Sequence, residues 1–275
     1  DISDEKAVNM FFKQQKFDYI CHLAAQAGVR YSLVNPKAYL RSNLDGFFYL
    51  IEGCRKHSVK HFVYASSSSV YGLNADVPYS EDTSVAHPVS LYAATKKSNE
   101  LIAHAYSHLY GIPTTGLRFF TVYGPWGRPD MSPFIFANAI LRGEKIKLFN
   151  NGNMLRDFTY IDDIVEGVIK VLDIPAAATS EWNPHKHPAG SSSAPYKLFN
   201  IGNSSPVKLM DFLSAMENAC GRKAVYEMCP MQPGDVYQTD ADTSLLEDYA
   251  GYHPSTDIHS GLSSYIKWFK QYYNL

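Results

Sequence analysis

The chain has 275 residues, with 25 basic and 27 acidic side chains, a net charge of -2 at pH 7 and 45% hydrophobic residues. That length and apolar content suit one large α/β unit or two joined lobes, and the near-balanced charge offers no field for a nucleic acid or an anionic membrane. No apolar run reaches the roughly 20 residues of a membrane span, and the opening DISDEKAVNM lacks signal-peptide order, so the expected compartment is the cytoplasm.

In chain order, the first strand signal is FDYICHLAA (17–25), followed by helical spacing over Pro36 to Ser58, where Leu40, Leu44, Phe47, Ile51 and Cys54 recur at three and four residues. HFVYASSSSVYG (61–72) reads as a second strand and runs into four serines. A helix over Ser90 to Tyr110 precedes a third strand, TTGLRFFTVYG (114–124). Helices are predicted at Ser132 to Arg142, Asp162 to Leu172, Lys208 to Gly221 and Asp257 to Tyr273, and KLFNIGN (197–203) is a fourth strand. Strands alternating with helices imply parallel βαβ units in a doubly wound sheet. The expected division is a sheet domain over 1–125, rejoined by 158–175 and 196–203, and a smaller α/β lobe over 126–275.

Cys21, Cys54, Cys220 and Cys229 stand far apart with no CxxC pair, which suits reduced thiols, and no metal is expected. His185 and His187 fall in a loop-like stretch, EWNPHKHPAGSSSAPY. His104 and His108 share a helix face without an HExxH pattern.

The chemistry concentrates at YAATK. A phenol whose pKa lies near 10 is a poor base until a positive charge favours its phenolate. Tyr92 and Lys96, at i and i+4, lie one above the other on a helix. A lone YxxxK also arises by chance, so neighbouring features decide. Ser66, Ser67, Ser68 and Ser69 bring hydroxyls to a strand's carboxyl end. Ala24 and Ala25 let a flat ring approach the backbone, and Arg156, read as lying in a loop before a helix, suits a phosphate.

HLAA (22–25), SSSSVYG (66–72), YAATK (92–96), LRFFTVYGP (117–125), RDFTYIDD (156–163), NIGN (200–203) and PGDV (233–236) together resemble the extended short-chain dehydrogenase/reductases that act on nucleotide sugars. HLAAQAGVRYSL and FFTVYGPWGRPDM are similar to the UDP-glucuronate 4-epimerase branch. The resemblance implies a Rossmann-like fold, resident NAD and C4 epimerisation of a UDP-sugar through a 4-keto intermediate. It assigns catalysis to Ser67, Tyr92 and Lys96. It assigns cofactor contacts to Asp1, Ile2, Leu23, Ala24, Ala25, Asn43, Ser66 and Phe119, beside Tyr92 and Lys96. Substrate contacts fall on Ser67, Ser68, Ser69, Thr121, Arg128, Arg156 and Asp235.

Ser69 stands where dehydrating and decarboxylating relatives carry a glutamate, and Thr121 where galactose-type epimerases carry an asparagine. Conversion of UDP-glucuronate to UDP-galacturonate is therefore expected, with Ser68, Ser69, Thr121 and Arg128 on the carboxylate. UDP-galactose or a UDP-N-acetylhexosamine is the alternative substrate. Gln232 stands where some relatives have a second diphosphate arginine. The family's opening strand and GxxGxxG turn do not occur, so the first βαβαβ part is expected to be missing, and a catalytically silent nucleotide-sugar-binding fragment is a further alternative. A homodimer through the helices at 36–58 and 90–110 is also implied.

Overall fold

The computed structural model describes residues 1–232 and 236–275. Helix α1 (Glu5–Gln14) starts where the Asp4 carboxylate accepts the Ala7 amide. Strand β1 (Tyr19–His22) leads through α2 (Val29–Val34), α3 (Pro36–Tyr39), a π-helical turn (Leu40–Asp45) and α4 (Gly46–His57) to β2 (His61–Ser67). A 3-10 turn (Ser68–Tyr71) and a long loop then reach α5 (Leu91–Tyr110), capped by the Ser90 hydroxyl, which accepts the Ala93 amide, and closed by Gly111 at φ 65°. The chain continues as β3 (Thr114–Phe119), β4 (Thr121–Tyr123), α6 (Ser132–Arg142), β5 (Lys145–Leu148), β6 (Leu155–Tyr160), α7 (Ile161–Leu172) and β7 (Tyr196–Ile201). It ends with β8 (Pro206–Lys208), α8 (Leu209–Cys220), β9 (Val225–Met228), α9 (Ser244–Ala250) and α10 (Ile258–Tyr273).

Strands β1, β2, β3 and β7 form a parallel sheet in the order β1-β2-β3-β7. Strands β2, β3 and β7 are buried almost throughout because both of their faces are covered, whereas β1, at the sheet edge, leaves Tyr19 and Cys21 exposed. Phe62 and Tyr64 of β2 point into a core with Phe12, Phe47, Ile51 and Ala103, while Val63 between them joins Leu117, Ile164, Val168, Phe199 and Leu246 on the other face. The result is a Rossmann-like α/β sheet, to which β7 and α7 return from the second half of the chain. A separate core lies around α6, α8 and α10, where Phe158 and Phe212 stack with centroids 4.0 Å apart.

Two features differ from the sequence expectation. The run TTGLRFFTVYG is two strands, not one. The Phe120 amide makes a last bond to the Ile201 carbonyl at 3.1 Å, and beyond it β4 pairs with β6 in a second sheet. The segment holding Arg156, expected as a loop, is strand β6, where Arg156 stands opposite Val207 of β8.

The helical run after Pro36 is continuous but contains the π turn, which aims Asn43 inward. Asn43 accepts the Gln26 amide at 2.8 Å and donates to the Gln26 carbonyl at 3.0 Å and to the Thr95 hydroxyl at 3.1 Å. Such turns often sit beside functional sites, and this one ties the segment after β1 to α5. Among the described residues no helix is long and apolar enough to cross a membrane.

Candidate active site

The carboxyl ends of β2 and β3 open into a cavity of about 1360 Å³, the place where open α/β sheets hold ligands. Its wall includes Ser66, Ser67, Ser68, Ser69, Tyr92, Phe119, Thr121, Arg128 and Arg156. Asp1, Ile2, Leu23, Ala24, Ala25, Asn43 and Lys96 lie outside that wall. Asp1 pairs with Arg41 at 2.8 Å, and Ile2 packs on Gly46, at the start of α4.

Strand β2 ends at Ser67, whose hydroxyl oxygen accepts the Ser69 amide at 3.2 Å and the Ser69 hydroxyl at 2.9 Å. The same side chain stands close enough to the Tyr92 phenol to pull its pKa down. Burial pushes that phenol above its ordinary value near 10, against the opposing pulls of the Ser67 hydroxyl and the Arg128 charge. One turn on, the Lys96 ammonium donates to the Ala65 carbonyl of β2 at 2.8 Å, and burial lowers its pKa to about 8. His22 at the end of β1 is lowered to about 3, mainly by burial and then by the Lys96 charge. Lys96 therefore stands where β1 and β2 end, next to the small residues that follow His22.

The Ser66 hydroxyl is committed to the interior. It donates to Glu100 at 2.6 Å, and Glu100 accepts both Nε and Nη2 of Arg118 at 2.9 and 3.0 Å. Arg118 Nη1 reaches the Tyr71 phenol at 3.0 Å, which donates to Asn200 at 2.6 Å. This buried chain pins the Ser68–Tyr71 turn at Tyr71 and, just before the turn, at Ser66, which Glu100 ties to α5. Its members are scattered between residues 66 and 200, so spacing along the sequence carried no sign of it.

Strand β4 begins at Thr121 and leads into the loop that carries Arg128. Gly124 adopts φ 138°, and Trp126 takes the left-handed φ 63° while its exposed indole lies against Trp268 and Tyr272 of α10, with centroids 5.4 and 4.8 Å away. Arg128 donates from Nε and Nη2 to the Asp130 carboxylate at 3.0 and 2.7 Å. The pair packs onto Gly28, at φ 99° before α2. A β-carbon there would stand 3.2 Å from both Arg128 Nη2 and Asp130 Oδ2. The guanidinium also reaches Tyr92 electrostatically. One wall thus gathers the Ser67–Tyr92 pair, three further hydroxyls and a cation.

Arg156 donates to the carbonyls of Tyr237 at 2.9 Å and Val236 at 2.7 Å, holding the segment after residue 235 against β6. Asp235 itself lies outside the described residues. Lys145 and Lys147 of β5 and Arg30, whose guanidinium lies 5.3 Å from the Phe149 ring centroid, complete a basic rim. The sequence expectation had not singled them out. In the stretch KIKL the alternation signals only a strand with one wet face.

A family model described as the NAD dependent epimerase/dehydratase family matches residues 1–183. Protein CapI of Staphylococcus aureus is 50% identical over 95% of this chain and 78% of its own length. A probable UDP-glucuronate 4-epimerase of Rhizobium meliloti (strain 1021) is 45% identical over 99% of this chain and 80% of its own. The crystal structure of UDP-glucuronic acid 4-epimerase from Bacillus cereus, in complex with UDP-glucuronic acid and NAD, matches with a TM-score of 0.85 at 31% identity. That match covers 99% of this chain and 81% of the other.

Proposed function

The chain belongs to the NAD-dependent epimerase/dehydratase family, and on that premise we propose that this nucleotide-sugar 4-epimerase interconverts UDP-glucuronate and UDP-galacturonate. One observation carries the choice of a uronate. The cavity that holds the Ser67–Tyr92 pair also holds Arg128 within electrostatic reach of the phenol, with Ser68, Ser69 and Thr121 on the same wall. A guanidinium beside several hydroxyls suits a sugar carboxylate better than a neutral hydroxymethyl group.

The residues present fit the cofactor. After His22 the chain offers Leu23, Ala24, Ala25, Ala27 and Gly28, with no bulky side chain beyond Leu23 and Gln26, and Lys96 adds a buried ammonium where those residues begin. NAD bound there would supply reversible hydride transfer at the sugar C4. The protein's part is proton transfer and positioning. Tyr92 accepts the proton of the sugar 4-hydroxyl while Ser67 hydrogen-bonds the same oxygen. Arg128 favours the phenolate by charge, opposing the burial that raises the phenol, while Lys96, held on the Ala65 carbonyl, is placed toward the cofactor side. Arg156 and the basic rim hold the nucleotide diphosphate, and Asp235 the uridine ribose. At about 1360 Å³ the cavity is large enough for a ligand bigger than the ~300–1,000 Å³ usual for small-molecule sites, as a nucleotide sugar is. Ser69 supplies no carboxylate for a dehydration step.

We also infer a homodimer through α4 and α5, where Phe48, Leu101 and Leu109 are exposed.

The test is turnover of UDP-glucuronate, UDP-glucose and UDP-N-acetylglucosamine by the purified protein with NAD, followed by proton NMR. Inversion of the uronate at least ~10-fold faster than of the neutral sugars is expected, and Arg128→Leu should remove most of that preference. Faster turnover of UDP-glucose, or a uronate rate unchanged in Arg128→Leu, would overturn the assignment.

A further inference from the structure

Arg128 does not face the cavity as a bare cation. Its Nε and Nη2 already form the two-point fork with Asp130, at 3.0 and 2.7 Å. That is the edge with which a guanidinium best grips a carboxylate. Asp130 lines the same cavity and its side chain is 58% exposed, Arg128 being 42% exposed. A half-exposed pair of this kind is held weakly and exchanges partners readily. We propose that Asp130 determines specificity by competing, as an internal carboxylate, for the arginine that takes the sugar carboxylate. The proposal rests on the uronate assignment above and deepens it.

Three observations support the exchange. The competing group has somewhere to go, because Arg30 of α2 lies close enough to act on the Asp130 carboxylate. Among the described residues, the groups that act most strongly on the pair, apart from its own two members, are Arg30, Tyr39 and Tyr92, none of them a carboxylate. The loop that carries the pair is also anchored on two sides, so the exchange needs only side-chain movement. Gly28 gives it room on one side, and Trp126 seats it on α10 on the other.

The consequence is selectivity by subtraction. A neutral sugar meets a wall whose cation is already neutralised. A uronate displaces Asp130 and also collects the hydroxyls of Ser68, Ser69 and Thr121, whereas a simple anion displaces Asp130 and collects little else.

Binding of UDP-glucuronate, UDP-glucose and inorganic phosphate to the NAD-loaded enzyme by calorimetry tests this, with wild type, Asp130→Asn and Arg128→Leu compared. Asp130→Asn should bind UDP-glucuronate roughly two- to five-fold more tightly, the range a weak surface pair can withhold. It should leave UDP-glucose within about two-fold and make phosphate a better competitor. Weaker uronate binding in Asp130→Asn would mean that Asp130 orients Arg128 rather than competes for it. Equal changes for both sugars would mean a general effect on the pocket. Either result overturns the proposal. A wild type that binds both sugars equally, unaffected by Arg128→Leu, would instead overturn the uronate assignment itself.

Discussion

Tyr92 and Lys96 are moved by the same cause in opposite directions. Burial raises the phenol and lowers the ammonium to about 8, because each change disfavours the charged form. Catalysis needs the opposite pair of states, so both residues are held against their preference. Lys96 loses its charge as the pH rises through about 8, and kcat should fall there. Stability runs the other way. The folded pKa lies below the unfolded value of 10.5, so between about 8 and 10.5 the unfolded chain binds the extra proton and the fold gains stability as pH rises. Lys96→Met removes this term. Its stability relative to wild type should therefore drop by ~2 kcal/mol between pH 8 and 10, read by urea denaturation. A difference independent of pH would show that the ammonium is not buried as described. The motif residues Ser67 and Tyr92 were legible in the sequence because chemistry restricts what can stand there. Gly28 and Asp130 were not, since their importance arises only when two distant loops meet.

At the level of elements, the inner strands of the main sheet, β2, β3 and β7, announced themselves as long runs of strand-forming residues, since both of their faces are covered. Strands β5, β6, β8 and β9 gave no such signal. They are three to six residues long and pair in small sheets with wet faces, as in KIKL, where Lys145 and Lys147 are exposed and Ile146 and Leu148 buried. The helix over residues 36–57 was visible, but its π turn was not, because one extra residue per turn barely alters the apolar spacing. The division of TTGLRFFTVYG was also hidden, as both halves have strand composition and only the end of β7 decides where they part. Gly116 shows how closely the main sheet is covered. A β-carbon on it would come within 2.6 Å of the Tyr64 ring and 2.7 Å of Leu198. Gly116→Ala should cost about 1–3 kcal/mol by overpacking, measured by urea denaturation, with activity per folded molecule retained. A loss below ~0.5 kcal/mol would mean that the Tyr64 ring yields.

Across the whole molecule, α5 does several jobs. It carries Tyr92 and Lys96, it holds the Ser67 turn through Glu100 and Arg118, and its outer face leaves Leu101 60% and Leu109 66% exposed. Exposed leucines in this number on one helix favour a helix-to-helix contact with a second copy. Leu101→Asp should halve the sedimenting mass, and an unchanged mass would remove α5 from the interface. The Arg118 network itself was beyond sequence reasoning, because burial of a charge becomes visible only when its partner is placed. One further consequence concerns light. The chain has three tryptophans, and two of them, Trp126 and Trp268, lie against each other where the loop bearing Arg128 meets α10. Any shift of that loop alters the solvent and the ring neighbours of Trp126. The protein therefore carries an intrinsic fluorophore on the loop beside its cavity, able to report loop movement without a label.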